Sequence, residues 1–357
     1  MSARADRLTE RLSGAGVDVV LITNLINVRY LTGYTGSNGL ALIGPSTRAF
    51  VTDFRYVEQA AEQVDSSFER LRAPVDLLEA VNDAIPSGEL RLGFEEAHMT
   101  VRDYGRLREL LADRVELVGV QGLVEGLRAV KEPAEVAAMR ASAALADAAL
   151  EQLIAGGLTG RTERDLAVAL EFDMRRRGAE GPSFESIVAA GPHGALPHAR
   201  PREVEVRSGD LVVIDWGAQL DGYCSDCTRT VAAGAADGHA TEIYELVLNA
   251  QLTGLQAVAV GASGRDVDAV ARQLIDAAGH GEHFGHGLGH GVGLEVHEAP
   301  RLAQRSDAVL EAGNVVTVEP GVYLPGDLGV RIEDLVVVTA EGPEILTGLS
   351  KELTIAG

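Results

Sequence analysis

The chain has 357 residues, enough for two domains and a sizeable core, and its 46% hydrophobic content falls in periodic segments, as in a folded globular protein. With 53 acidic against 31 basic residues the net charge is −22, which argues against nucleic-acid and anionic-membrane partners. No apolar run approaches the roughly 20 residues of a membrane span, residues 1–12 lack a leader-type apolar core, and there are only two cysteines, so we expect a cytoplasmic protein without a disulfide framework.

In chain order, residues 1–128 alternate helix and strand signals. An opening helix is followed by strand signals at 17–22, 39–44 and 49–52, and a helix at 54–64. Short strands at 92–95 and 116–120 flank a further helical segment. This predicts a smaller α/β domain. Residues 27–39 (NVRYLTGYTGSNG) read as a loop or turn region without phosphate-loop spacing.

The pattern changes at Lys131-Glu132-Pro133. Pro133 suits a first helical turn, with Glu132 and Glu135 near the positive end of the helix dipole. Val136, Met139, Ala143, Ala146, Leu150 and Leu153 then recur every three or four residues, predicting a helix of about six turns that stops at Gly156-Gly157. The domain boundary falls near 128, giving domains 1–128 and 129–357. A second helix is expected at 162–177, and two more at 241–260 and 264–278. Strand signals at 184–190, 211–216, 223–232, 315–319 and 329–339 are joined by short turns, which favours antiparallel pairing.

The chemistry concentrates in this second domain. The apolar run 211–214 ends on Asp215, and Asp226 follows 11 residues later on the returning strand, with no Lys or Arg between them. A buried carboxylate is costly unless something positive meets it, so the pair asks for a cation. A lone strand-end aspartate is ordinarily a turn or cap residue; two at hairpin spacing are harder to explain that way. Directly opposite, their Cβ atoms would lie roughly 4.5–5.5 Å apart, and in a diagonal register about 7–8 Å. Residues 283–297 (HFGHGLGHGVGLEVH) hold four of the nine histidines, interleaved with glycines that let backbone and imidazoles converge. The spacing does not say which imidazole is a ligand. Glu319 ends an apolar strand before Pro320, and Arg331 and Glu333 share one strand face by the two-residue period, with Asp334 on the other. The set is oxygen-rich and imidazole-poor, which suits Mn²⁺ or Co²⁺, with Zn²⁺ or Fe²⁺ as alternatives. Cys224-x-x-Cys227 reads as incidental, because residues three apart on a strand face opposite sides.

In its motifs DWGA, SDCTRT, PHARP, HGLGHGVGLEVHE, TVEPGVY and GVRIEDLVVV the chain resembles the pita-bread metallopeptidases, a family that includes aminopeptidase P, prolidase, methionine aminopeptidase and the metal-free creatinase. Residues 27–39 extend the resemblance into the first domain. It implies an α+β catalytic domain, with a mostly antiparallel curved sheet and helices outside, preceded by a creatinase-type N-terminal α/β domain. It further implies two divalent metal ions, Mn²⁺ first and Co²⁺ or Zn²⁺ as alternatives, held by Asp215, Asp226, His290, Glu319 and Glu333. Asp226 and Glu333 would bridge the metals, with a hydroxide between them as nucleophile. Glu319 would also shuttle protons, His198 and His297 would position substrate and stabilise the tetrahedral intermediate, and Arg331 would buttress Asp226 or a nearby carboxylate. His286 would lie near the site without an assigned role.

All five ligands are present, which disfavours creatinase chemistry, and methionine aminopeptidase typically lacks such a first domain. A proline peptidase remains: an exopeptidase cleaving Xaa-Pro bonds in dipeptides or at the N-terminus of peptides with proline second, acting as a homodimer. The competing reading is a catalytically inactive pita-bread module that binds a partner.

Overall fold

The computed structural model describes residues 2–111 and 113–357, and the counts given are of these residues. The chain divides into two compact units, Met1–Arg128 and Ala129–Gly357.

The first unit is a mixed six-stranded sheet in the order Glu69–Arg72, Arg48–Thr52, Leu40–Ile43, Val19–Ile22, Leu90–Glu95, Val115–Val120. Helices pack on it over a core that includes Leu21, Leu42, Val51, Leu92 and Leu107. The stretch 27–39 departs from the loop expected of it. Asn24 accepts a hydrogen bond from the Ile26 N–H and starts a helix, Leu25–Thr32, which Gly33 ends with φ at 85°. Val28, Tyr30 and Leu31 are buried there, and tertiary packing overrides the Gly- and Thr-rich composition. The edge strand Glu69–Arg72 (ERLR) is largely exposed and carries no apolar alternation to announce it.

The second unit has two helix-backed sheets. Helix Pro133–Ala155 opens with a reciprocal capping box between Glu132 and Glu135 and buries Met139, Ala143, Ala146, Leu150 and Leu153. With helix Glu163–Arg176 it covers a sheet ordered Thr354–Ala356, Cys227–Ala233, Leu211–Trp216, Ile187–Ala190. Leu150, Leu166, Leu170, Ile214 and Trp216 form their shared core, and the Trp216 indole N–H donates to the Ala146 carbonyl at 2.9 Å. Each fully buried Leu or Ile there contributes about 1.5–3 kcal/mol.

Helices Gly238–Ala257 and Gly264–Ala277 cover the other sheet, ordered Glu298–Leu302, Gly289–Gly291, Val315–Val318, Asp334–Thr339, Gly342–Ile345. Val247, Ala271, Leu288, Val316 and Val336 fill that interface. The repeated scheme, a helix pair outside each largely antiparallel sheet, is the pita-bread α+β fold. Two expected strands are divided. The first becomes Tyr223–Cys224 and Cys227–Ala233; the second becomes Leu328–Arg331 and Asp334–Thr339, which lie in different sheets. Both breaks fall at carboxylates expected to hold metal, Asp226 and Glu333.

Candidate metal centre

The strands Leu211–Trp216 and Cys227–Ala233 pair antiparallel, with Asp215 opposite Thr228. Asp226 therefore lies two positions away from the partner of Asp215, in the diagonal register rather than the direct one. The cause is local. Asp221 and Gly222, with φ at 50° and 81°, make a tight reversal that closes Ala218–Leu220 onto Tyr223–Cys224 as a separate small ladder. At the joint, a Cβ on Gly217 would sit 2.0 Å from the Ser225 carbonyl oxygen, so only glycine allows this approach.

This register gathers Asp215, Asp226 and Glu333, with one carboxylate oxygen from each within 4.8 Å of the others. His290 joins from the strand Gly289–Gly291: its Nε2 lies 3.5 Å from Asp226 Oδ2 and 3.2 Å from Glu319 Oε1. The structure thus brings all five expected ligands to one cleft of about 470 Å³, also lined by His198, His286, His297 and Arg331. Thr317 holds two of them in place: its hydroxyl accepts from the His290 N–H at 3.0 Å and donates to Glu319 Oε1 at 2.9 Å.

Of the carboxylates open to it, Arg331 reaches Asp215. Its Nη2 donates to Asp215 Oδ2 at 2.7 Å, and no hydrogen bond joins it to Asp226. It also donates through Nε to Thr228 Oγ1 and through Nη1 to the Tyr323 hydroxyl and the Pro197 carbonyl. Thr228 in turn donates to Glu333 Oε2 at 2.7 Å. Sequence reasoning missed Thr228, Thr317 and Tyr323, although the first two sit two residues from a carboxylate along their strands and Tyr323 lies within TVEPGVY. His286 is held by contacts to Tyr323 Oη at 2.9 Å and to the Gly287 carbonyl at 2.8 Å.

The electrostatics show what is missing from the protein's own atoms. Burial raises the carboxyl groups of Asp226 and Glu333 well above their ordinary range, and neighbouring charges raise them further: Glu333, Asp215 and Glu319 act on Asp226, and Glu319 and Asp215 on Glu333. Burial also raises Asp215, against the pull of Arg331. Glu319 behaves oppositely: burial pushes it up, but the hydrogen bond and charge of His290, with His286 and Arg331, outweigh this and hold it at about 2. Desolvation and the neighbouring His290 hold His297 down to about 4, so it stands neutral; its ring meets that of His290 edge-on at 4.3 Å. One oxygen, Asp215 Oδ1, is buried with no hydrogen-bond partner. An orphaned carboxylate oxygen among carboxylates that cannot all ionise fits a divalent metal site, and the four carboxylates with one imidazole suit Mn²⁺ or a similar ion.

The opposite face of the same segment is differently furnished. Asp334, also buried, accepts from Arg229 at 2.9 Å, Lys351 at 2.6 Å, Gln251 at 2.9 Å and Thr347 at 3.0 Å. Burial raises its carboxyl, but Arg229 and Lys351 outweigh that and lower it. The two cysteines form no disulfide and are buried in separate apolar clusters.

The fold and the site define a two-domain metallopeptidase. Residues 137–340 match the model of metallopeptidase family M24, and residues 4–130 match the creatinase/prolidase N-terminal domain. The chain belongs to that family. It is 35% identical to a Xaa-Pro dipeptidase of Pyrococcus horikoshii, over 99% of both chains. Among solved structures it is similar to a Xaa-Pro dipeptidase from Bacillus anthracis, with 43% identity, TM-score 0.95 and 99% of each chain covered. It is also similar to an X-Pro aminopeptidase from Thermotoga maritima, with 35% identity, TM-score 0.91, and 99% and 100% of the two chains covered. Among the described residues no helix is long and apolar enough to cross a membrane.

Proposed function

We propose that this chain is a metallo-exopeptidase that hydrolyses the Xaa-Pro bond, with Xaa-Pro dipeptides as the first substrate class. The observation that carries the reading is the trio Asp215, Asp226 and Glu333, linked from Asp226 to His290 and from His290 to Glu319. These five would hold two divalent ions, Mn²⁺ first and Co²⁺ or Zn²⁺ as alternatives. Ions bound there supply Lewis acidity and a water acidified enough to attack the scissile carbonyl.

The protein's own groups divide the remaining work. Glu319, kept ionised by His290, accepts the proton of the attacking water and passes it to the departing proline nitrogen. That nitrogen belongs to a tertiary amide without an N–H, so a cleft that does not depend on such a donor can accept it. His198 and His297 line the cleft on the substrate side and donate to the developing oxyanion. Arg331 orients Asp215 and, through Thr228, Glu333. The inactive-module alternative expects eroded ligands, whereas all five stand together here. A cytoplasmic homodimer completes the proposal on the strength of the family resemblance.

The likeness to the Thermotoga maritima aminopeptidase favours a second substrate class, longer peptides with proline second. Proline release from an Xaa-Pro dipeptide and N-terminal residue release from an Xaa-Pro-Xaa peptide, each in Mn²⁺ and Co²⁺, separate the two. Cleavage of the dipeptide alone is the expected result. Cleavage of the longer peptide would assign the aminopeptidase activity, and cleavage of neither would overturn the peptidase reading.

A further inference from the structure

We propose that Glu163, remote in sequence from every group above, is a positioning residue for His198; this rests on the reading of His198 as a substrate-facing group. Glu163 opens the helix Glu163–Arg176 and is fully buried. Its Oε1 accepts from the Ala190 N–H at 2.9 Å and its Oε2 from the Arg202 N–H at 2.9 Å. Both oxygens lie 2.9 Å from His193 Nδ1. One carboxylate therefore ties the two ends and an interior residue of the segment 190–202, which carries His198. The positive end of its own helix favours its charge.

The inner side of the segment is fixed separately. A Cβ on Gly329 would lie 1.8 Å from the Gly194 carbonyl oxygen, so the segment is pressed backbone to backbone against the strand Leu328–Arg331. The Pro197 carbonyl accepts from Arg331 Nη1 at 3.1 Å. The His198 imidazole, by contrast, is exposed to the cleft and makes no hydrogen bond to any described residue. Its direction is inherited from the main chain, and the main chain is closed at its base by Glu163.

A glutamine at 163 can accept on its oxygen only, so its amide NH₂ would face the N–H of either Ala190 or Arg202 and release that end. The test is a double-mutant cycle on the metal-loaded full chain, reading kcat/KM for an Xaa-Pro dipeptide together with bound metal. Glu163→Gln is expected to lower kcat/KM by about 10–100-fold, the scale of a reacting-group misplacement near 1 Å, with metal content unchanged. In the His198→Ala background the same substitution is expected to cost less than about 2-fold, because the group it positions is gone. Losses that multiply, or no loss from Glu163→Gln alone, would overturn the positioning role and leave His198 standing. A fully active His198→Ala enzyme would refute the role of His198 and the positioning role with it. Should Glu163→Gln fail to fold, His193→Ala reads the same coupling from the middle of the segment, with the same two outcomes.

Discussion

Glu333 and Asp334 are adjacent, both buried, and face opposite ways, and their carboxylates are treated in opposite fashion. Asp334 is met by Arg229 and Lys351, both from this chain, and its acidity is enhanced. Glu333 meets Asp226 and Asp215, its carboxylate accepts only from Thr228 among the described residues, and it is driven toward the protonated form. The carboxylate on the far face is neutralised by side chains. The one in the cleft is left short of positive charge, and under the proposed function that shortfall is what a metal would fill. Among the described carboxylates Arg331 hydrogen-bonds Asp215, and burial still holds Asp226 and Glu333 well above their ordinary range.

The largest expected effect breaks the cleft side of this contrast. Asp226→Ala or Glu333→Ala should abolish turnover, by about 10³-fold or more, and remove bound metal. The metal-free variant should be no less stable than the metal-free parent, since repulsion has been relieved; urea unfolding of both checks this. Next comes the other face. Asp334→Ala should destabilise the second unit by about 3–5 kcal/mol, because it leaves Arg229 buried without its partner. A loss under about 1 kcal/mol in the same urea experiment would dissolve the distinction between the two faces.

Asp147 sharpens the comparison most gently, being buried with only partial relief. Burial raises it to about 6, against the Gly348 N–H bond and the more distant Arg229. Its folded value exceeds the unfolded one, so the folded chain takes up a proton between roughly pH 4 and 6 and stability falls as pH rises through that window. Asp147→Asn should therefore raise stability at pH 7 by up to about 3 kcal/mol and change little at pH 3.5. A gain that is equal at both pH values would contradict the assignment.

Much of the site was legible because its parts are spaced by local geometry. Asp215 and Asp226 flank a reversal, Glu319 ends a strand, and the glycine-interleaved histidines sit in one short run. The helix Pro133–Ala155 announced itself through Pro133, its paired glutamates and its apolar stripe. What stayed hidden depends on contacts between distant segments. The diagonal register follows from the close approach of Gly217 to Ser225, which no periodicity encodes. The bond from Arg331 to Asp215 joins residues 116 positions apart. Helix Leu25–Thr32 was masked by the Gly- and Thr-rich stretch it enters, and Glu163 acts on residues 27 and 39 positions away.

Calorimetric titration of the metal-stripped chain with Mn²⁺ tests the central claim most directly. The account predicts two ions bound per chain in the parent, protons released on binding as the raised carboxyls ionise, and fewer than two ions after Asp226→Ala. A parent chain that binds no Mn²⁺, Co²⁺ or Zn²⁺ with its five cleft residues intact would contradict it.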